Sequence, residues 1–289
     1  MDLLRSFLFV PADSSRKLMK ARNLSPDAFI YDLEDAVSLD KKLEARAMLA
    51  AELPNVAVLP VKVFVRVNRI GTPFFDDDLR AAVRREVFGI VLPKCGAGEE
   101  VTLIHQRILG LEKKSGMPEN SIKLMPILES AKGVTRAAEV ARSSSRILAL
   151  NFGAEDYCVD MGISRTKVGE EIAFARSLVA LASKSEGLEA VDGVFTDFHD
   201  TVGLFDDTQR VKQMGFTGKT LIHPRQIDTV HRALAPSAEE VAWAEEVVST
   251  FESAGSGVTV VRGKMVDEPV VVQARRILKQ NDREEARKN

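Results

Sequence analysis

"LMPILES", Leu124–Ser130, is an apolar run that ends on a carboxylate, Glu129. Its first five residues suit a strand covered on both faces, because they form a continuous run instead of alternating with polar ones. Such a strand has little reason to finish on an acid, since an unpaired buried carboxylate costs several kcal/mol. The arrangement recurs further along. "ILALNFGAEDY", Ile147–Tyr157, is largely apolar at first and then delivers Glu155 and Asp156 just after Gly153.

Working outward, eight such runs punctuate the chain. They are "SFLFVP" from Ser6, "AFIYDLE" from Ala28, "VFVRVN" from Val63, "GIVLPK" from Gly89, "KLMPILE" from Lys123, "ILALNFG" from Ile147, "DGVFTDF" from Asp192 and "KTLIHP" from Lys219. Helical patterns lie between them, such as "SRKLMKARN", "DKKLEARAMLAAEL", "FDDDLRAAVRREV", "GEEVTLIHQRILGLEKKSG" and "EEIAFARSLVALASKSEG". Asp13 and Asp40 stand where N-caps belong, and Gly116 and Gly187 where helices stop. Eight βα units predict an α/β fold of the TIM (β/α)8 barrel type. A doubly wound sheet would want a glycine-rich loop after an early strand, and the sequence has none. Barrel residues 1–235 are then followed by a C-terminal extension, 236–289, with helical stretches from Ser237 and Glu268 joined by the β-like "GVTVVRGKMVDEP".

The composition narrows the function. The 289 residues are 45% hydrophobic, ample for a large core. A net charge of −2 offers no electrostatic footprint for nucleic acid or an anionic membrane. Two cysteines, Cys95 and Cys158, are too few for a disulfide framework or a cysteine-based zinc site and suit a reducing, cytoplasmic setting. No apolar run reaches the roughly 18–20 residues of a membrane span. The opening "MDLLRSFLFVPADSSRK" reads as a strand and a helix cap rather than a signal peptide, because its apolar run is short and lacks a basic leader.

In a TIM barrel the chemistry gathers at the C-terminal ends of the strands. The predicted strand ends carry Pro11; Asp32, Glu34 and Asp35; Arg66 and Asn68; Lys94; Glu129; Gly153, Ala154, Glu155 and Asp156; Asp197, His199 and Asp200; and His223. Converging acids repel one another unless a cation joins them. Two carboxylates with open positions suit Mg²⁺ better than zinc, which makes Glu129 and Asp156 the candidate metal pair. Arg66 would face the same mouth with a fork fitted to a carboxylate or an enolate oxygen. Structural readings stand beside these. Glu34, Asp35 or Asp197 can simply cap a following helix, Lys94 can be a solvated lysine, and His223 a satisfied structural histidine. His105 and His231 lie in helical patterns, and Trp243 suits a core or interface anchor.

"RSFLFVPA", "DLEDAV", "VRVN", "VLPK", "PILESAKGV", "GAEDY", "GFTGKTLIHPRQI" and "GKMVDEP" occur in this order over nearly the whole chain. In these motifs the sequence resembles the citrate lyase β-subunit-like proteins, a branch of the HpcH/HpaI aldolase and malyl-CoA lyase superfamily. The resemblance implies metal ligation by Glu129 and Asp156, and substrate contact by Arg66. It implies that Glu34 and Asp35 lie near metal-bound water. Asp267 would be the acid of a C-terminal lid that reaches a neighbouring subunit's site. Arg16 and Lys20 would contact the phosphates of coenzyme A, and Gly153 and Ala154 would let the backbone approach a small acid.

The activity so implied is Mg²⁺-dependent cleavage of a malyl-, citramalyl- or citryl-type acyl-CoA to acetyl-CoA and a 2-oxo acid, or the reverse condensation. Alternatives remain open: a thioesterase or malate-synthase-like activity on the same thioesters, cleavage of free hydroxy-keto acids, or a β subunit of a citrate lyase complex using a carrier-bound substrate. A purely structural role would leave acids at successive strand ends unexplained. The implied assembly is a homotrimer or a dimer of trimers.

Overall fold

The computed structural model describes residues 4–255 and 257–288. The chain divides into two compact units, Met1–Ala233 and Leu234–Asn289, against an expected division between 235 and 236.

The first unit is a closed barrel of eight parallel strands in chain order. They are β1 (Ser6–Pro11), β2 (Ala28–Asp32), β3 (Lys62–Arg66), β4 (Gly89–Leu92), β5 (Lys123–Leu128), β6 (Ala149–Phe152), β7 (Glu189–Asp192) and β8 (Gly218–Leu221). β8 closes the ring on β1, with Leu221 opposite Leu8. The intervening helices are α1 (Ser15–Ala21), α2 (Lys42–Val56), α3 (Phe75–Ala82), α4 (Gly98–Lys114), α5 (Ala131–Thr135), α6 (Ala137–Arg142), α7 (Ala154–Met161), α8 (Glu170–Ser185), α9 (Thr201–Gln213) and α10 (Gln226–Leu234). β2, β4 and β8 are buried along their whole length, as strands sandwiched between a filled bore and a helical shell must be. Phe7, Ile30, Phe64, Val91, Met125, Ile127 and Val191 fill the bore, and Phe7 meets Phe64 edge-on with centroids 5.6 Å apart.

Two local expectations are corrected. The seventh strand is not the apolar run from Asp192 but the segment Glu189–Asp192 before it. Half of that strand is charged, so its apolar signal is weak; Asp192 is nonetheless fully buried because Arg176 and Lys219 neutralise it. The helix caps also differ. Ser14, not Asp13, caps α1 through its hydroxyl, and Asp40 sits inside a short 3-10 turn, Leu39–Lys41. Gly116 and Gly187 do end α4 and α8, at φ of +61° and +70°. In both, the next residue's N–H donates back five residues, Met117 to Glu112 O and Leu188 to Ser183 O.

The second unit has its own core. α11 (Ala238–Ala254) starts in a capping box formed by Ser237 and Glu240. A hairpin of β9 (Thr259–Val261) and β10 (Lys264–Val266) leads to α12 (Glu268–Lys288). Ala244, Val247, Val261, Val266, Val271 and Ala274 are its buried residues, with Trp243 packed against them. Among the described residues no helix is long and apolar enough to cross a membrane.

Candidate active site

The barrel mouth is organised by a residue that the sequence marks only as a strand end. Asp32, the last residue of β2, accepts Arg66 Nε at 2.8 Å and Nη2 at 2.6 Å in a bidentate pair. It also accepts the backbone N–H groups of Glu34 and Ala36, and so shapes the acidic loop that follows. The buried Lys42 holds that loop from behind, donating to the carbonyls of Leu33 and Glu34 at 2.8 Å each. Register fixes the pair, because Asp32 and Arg66 are directly opposed on β2 and β3.

Arg66 therefore arrives already half engaged. Its guanidinium lies 4.7 Å over the Phe9 ring, and Nη1 stands 3.1 Å from Glu34 Oε2. The hydrogen bonds and charge of Asp32, then the charges of Glu34 and Asp35, outweigh desolvation and raise its pKa still further. Its Nη1 hydrogens and the second hydrogen on Nη2 are not committed to Asp32, which leaves donors for a ligand. Glu34 is buried, with Oε2 lacking a hydrogen-bond partner, and burial raises its pKa against the pull of Arg66 and Lys94. Asp35 beside it is exposed and pairs with Lys94 at 3.5 Å.

Glu129 follows β5 directly and is only 6% exposed. Its Oε1 accepts the Lys94 N–H at 2.6 Å. Burial first, and the charge of Asp156 second, push its pKa up to about 8. Asp156 is half-buried in the first turn of α7. Neither acid has a lysine, arginine or histidine within ion-pair distance among the described residues. Gly153 makes room for the arrangement: a Cβ there would sit 2.6 Å from Glu129 Cβ and 2.7 Å from its Oε2. Among the described residues no group of three or more His, Cys, Asp and Glu side chains is set to hold a metal. A cation on Glu129 and Asp156 would thus complete its shell with water and ligand oxygens, the habit of Mg²⁺. Glu129, buried beside Asp156 and without a protein cation in ion-pair reach, fits that role.

A cavity of about 480 Å³ opens beside Arg66 and Asp32. Its walls are apolar, including Phe9, Val10, Leu24 and Ile222, and Lys17 and Lys20 stand on its rim with His223. Lys20 was expected near a ligand. Lys17 was not, and Arg16 on the same helix is exposed and does not line the cavity. His223 stacks on Phe198 at 4.7 Å and accepts the Arg225 N–H at Nδ1. Asp197 and His199 lie in the loop after β7, and Asp200 caps α9 through Gly203 N–H. Asp267 belongs to the second unit, where its carbonyl accepts the Val271 N–H in the first turn of α12.

The profile of the family HpcH/HpaI aldolase/citrate lyase matches residues 5–224, a span that includes Asp32, Glu34, Arg66, Lys94, Glu129 and Asp156 but not Asp267. The chain belongs to that family. Among its relatives, the citrate lyase subunit β of Leuconostoc mesenteroides subsp. cremoris is 37% identical over 280 residues, 96% of this chain and 93% of that protein. The human mitochondrial citramalyl-CoA lyase is 31% identical over 283 residues, covering 93% of this chain and 83% of that protein. A crystal structure of Mycobacterium tuberculosis CitE in complex with magnesium, acetoacetate and coenzyme A aligns with a TM-score of 0.81 and 30% identity, over 97% of this chain and 98% of that one. HpcH/HpaI membership accounts for the barrel and for the order of the motifs along it.

Proposed function

We propose that the chain is a Mg²⁺-dependent carbon–carbon lyase acting on a carboxylated 3-hydroxyacyl thioester of the malyl-, citramalyl- or citryl-CoA type. One observation carries the reading: Glu129, buried beside Asp156 without a protein cation, faces the same barrel mouth as the half-engaged Arg66. One relative is named for such a thioester, citramalyl-CoA, others are named for citrate, and the CitE complex holds magnesium, acetoacetate and coenzyme A.

Glu129 and Asp156 would hold the ion, which when bound stabilises negative charge on the substrate's oxygens. Arg66 would bind the carboxylate and the oxygen that becomes the keto group, using the donors that Asp32 leaves. Glu34, whose Oε2 stands 3.1 Å from that guanidinium as an ion pair without a hydrogen bond, is the acceptor for the hydroxyl proton. Loss of that proton forms the keto C=O as the C2–C3 bond breaks, and the bonding electrons pass to the thioester enolate. Asp267, supplied by a neighbouring subunit in a homotrimer or dimer of trimers, would protonate the enolate to acetyl-CoA. Lys20 on the cavity rim, with Arg16 further out, would meet the coenzyme phosphates.

A second reading has an observation of its own. The citrate lyase β subunits are 34–38% identical to this chain where the citramalyl-CoA lyase is 31%. This supports a carrier-bound citryl substrate within a complex.

Product analysis by mass spectrometry separates these readings. Malyl-, citramalyl- and citryl-CoA are each incubated with the protein in Mg²⁺ and in EDTA. Metal-dependent acetyl-CoA and a 2-oxo acid support the lyase. Free CoA with the intact hydroxy acid makes it a thioesterase, and no turnover favours the carrier-bound substrate.

A further inference from the structure

Lys94 follows β4 with φ of +53°, in the left-handed region that costs free energy for any residue with a Cβ. Glycine would meet the backbone requirement without that cost. Strain of this kind is a reason to ask what the side chain does. Both ends of the residue are occupied. Its N–H donates to Glu129 Oε1 at 2.6 Å, and the next N–H, of Cys95, donates to Ile127 O on β5. Its ammonium crosses to the opposite acids, 3.2 Å from Glu34 Oε1 and 3.5 Å from Asp35 Oδ1. The carboxylates of Asp32, Glu34, Asp35, Glu129 and Asp156 share the mouth, and among the described residues Arg66 and Lys94 are the side-chain cations that ion-pair with them.

We propose that Lys94 is a positioning residue that keeps the two groups of acids apart: its backbone fixes Glu129 toward the metal, and its ammonium holds Glu34 away from it. Without the ammonium, Glu34 keeps only the Arg66 ion pair at Oε2, and its buried Oε1 becomes an available ligand for a nearby dication. Drawn to the ion, Glu34 would fill a position the substrate needs. This inference rests on the Mg²⁺ reading above and deepens it.

The variants Lys94→Gly and Lys94→Ala both keep the N–H and lose the ammonium; only glycine relieves the strain. The glycine variant therefore melts higher than the alanine variant. Isothermal titration with MgCl₂ alone finds both binding Mg²⁺ at least as tightly as the unaltered protein. With the thioester, both lose about 100-fold in kcat while KM moves less than about threefold. Crystals of the glycine variant with Mg²⁺ show Glu34 turned toward the ion.

Weaker Mg²⁺ binding in both variants, or unaltered kcat in the glycine variant, overturns the role of Lys94 and leaves the lyase reading standing. No Mg²⁺ binding by the unaltered protein overturns that reading and this inference with it.

Discussion

Arg66 and Asp32 meet through two parallel hydrogen bonds, 2.8 Å at Nε and 2.6 Å at Nη2, with Asp32 1% exposed. The pair presents a guanidinium of fixed orientation to the cavity, where a free arginine side chain would have to be ordered by the ligand. Asp32→Ala leaves a largely buried arginine charge short of its main partner and detaches the loop of Glu34. Losing one partner of such a pair costs about 3–5 kcal/mol. Asp32→Asn keeps the shape and loses the charge, so it should fold more stably than the alanine variant. Its kcat/KM for the thioester should still fall by at least about 100-fold, most of it in kcat. Denaturant titration and steady-state kinetics on both variants check this, and an asparagine variant of full activity would deny Asp32 its role.

Gly153 is required by what it lacks. The smallest side chain there would place a Cβ 2.6 Å from Glu129 Cβ, closer than non-bonded carbons approach. Gly153→Ala should push Glu129 off the Lys94 N–H while leaving the barrel intact. Mg²⁺ affinity should drop about 10–100-fold, the range for disturbed support of a metal ligand. Titration calorimetry, with circular dichroism as the folding control, decides it. Unaltered affinity would place the ion elsewhere.

The raised pKa of Glu129 makes metal binding a proton exchange. Near neutral pH the metal-free carboxyl holds its proton, pushed to about 8 by burial and by Asp156. Mg²⁺ must displace that proton, so apparent affinity should climb up to about tenfold per pH unit below 8 and level off above it. A folded pKa above the unfolded value of 4.5 stabilises the fold fully at low pH, and that contribution is lost as pH rises through about 8. Glu34 is shifted in the same direction and adds to it. Melting temperature in EDTA should therefore slope downward from pH 5 to 8, less steeply in Glu129→Gln, and added Mg²⁺ should stabilise most at the alkaline end.

Much of the barrel was legible because its strands are continuous apolar runs whose polar residues sit at one end. Ser6, Ala28 and Gly89 begin strands as the pattern says they should. The same logic placed Glu129 and Arg66 at the mouth. β7 escaped because burial there is made possible by ion pairing, which leaves no hydrophobic trace in a four-residue strand carrying Glu189 and Asp192. Asp32 was seen as a strand end but not as the holder of Arg66, since cross-strand register is a three-dimensional fact. The left-handed backbone of Lys94 had no marker either: a glycine would have announced it, and a lysine does not. Lys17 carries no sequence marker, because only the turn of a short helix decides which of its basic residues faces the cavity.

The ion network behind β7 and β8 yields the last prediction. Arg176 reaches Asp192 at 3.0 Å and Asp207 at 2.9 Å, and Lys219 pairs with the same two acids, 2.8 Å from Asp207. All four side chains are at most 4% exposed. Two cations against two acids leave no net charge, so the cluster is tolerated as a unit and sensitive to the loss of a member. Lys219→Met removes one cation while keeping most of the volume, and should cost about 3–5 kcal/mol. Asp207→Asn should cost a comparable amount at neutral pH but less in acid. Asp207 has its pKa held below the usual 3.8 by Lys219 and Arg176, which overcome its desolvation, so its contribution is present above that value and lost as pH falls through the depressed one. Urea unfolding of both variants at pH 7, and of Asp207→Asn again near pH 3.5, measures this. The double variant Lys219→Met with Asp207→Asn restores charge balance against Arg176 and Asp192. It should be less destabilised than the two single changes summed, by about 0.5–3 kcal/mol, whereas strict additivity would mean that the four side chains do not act as one network.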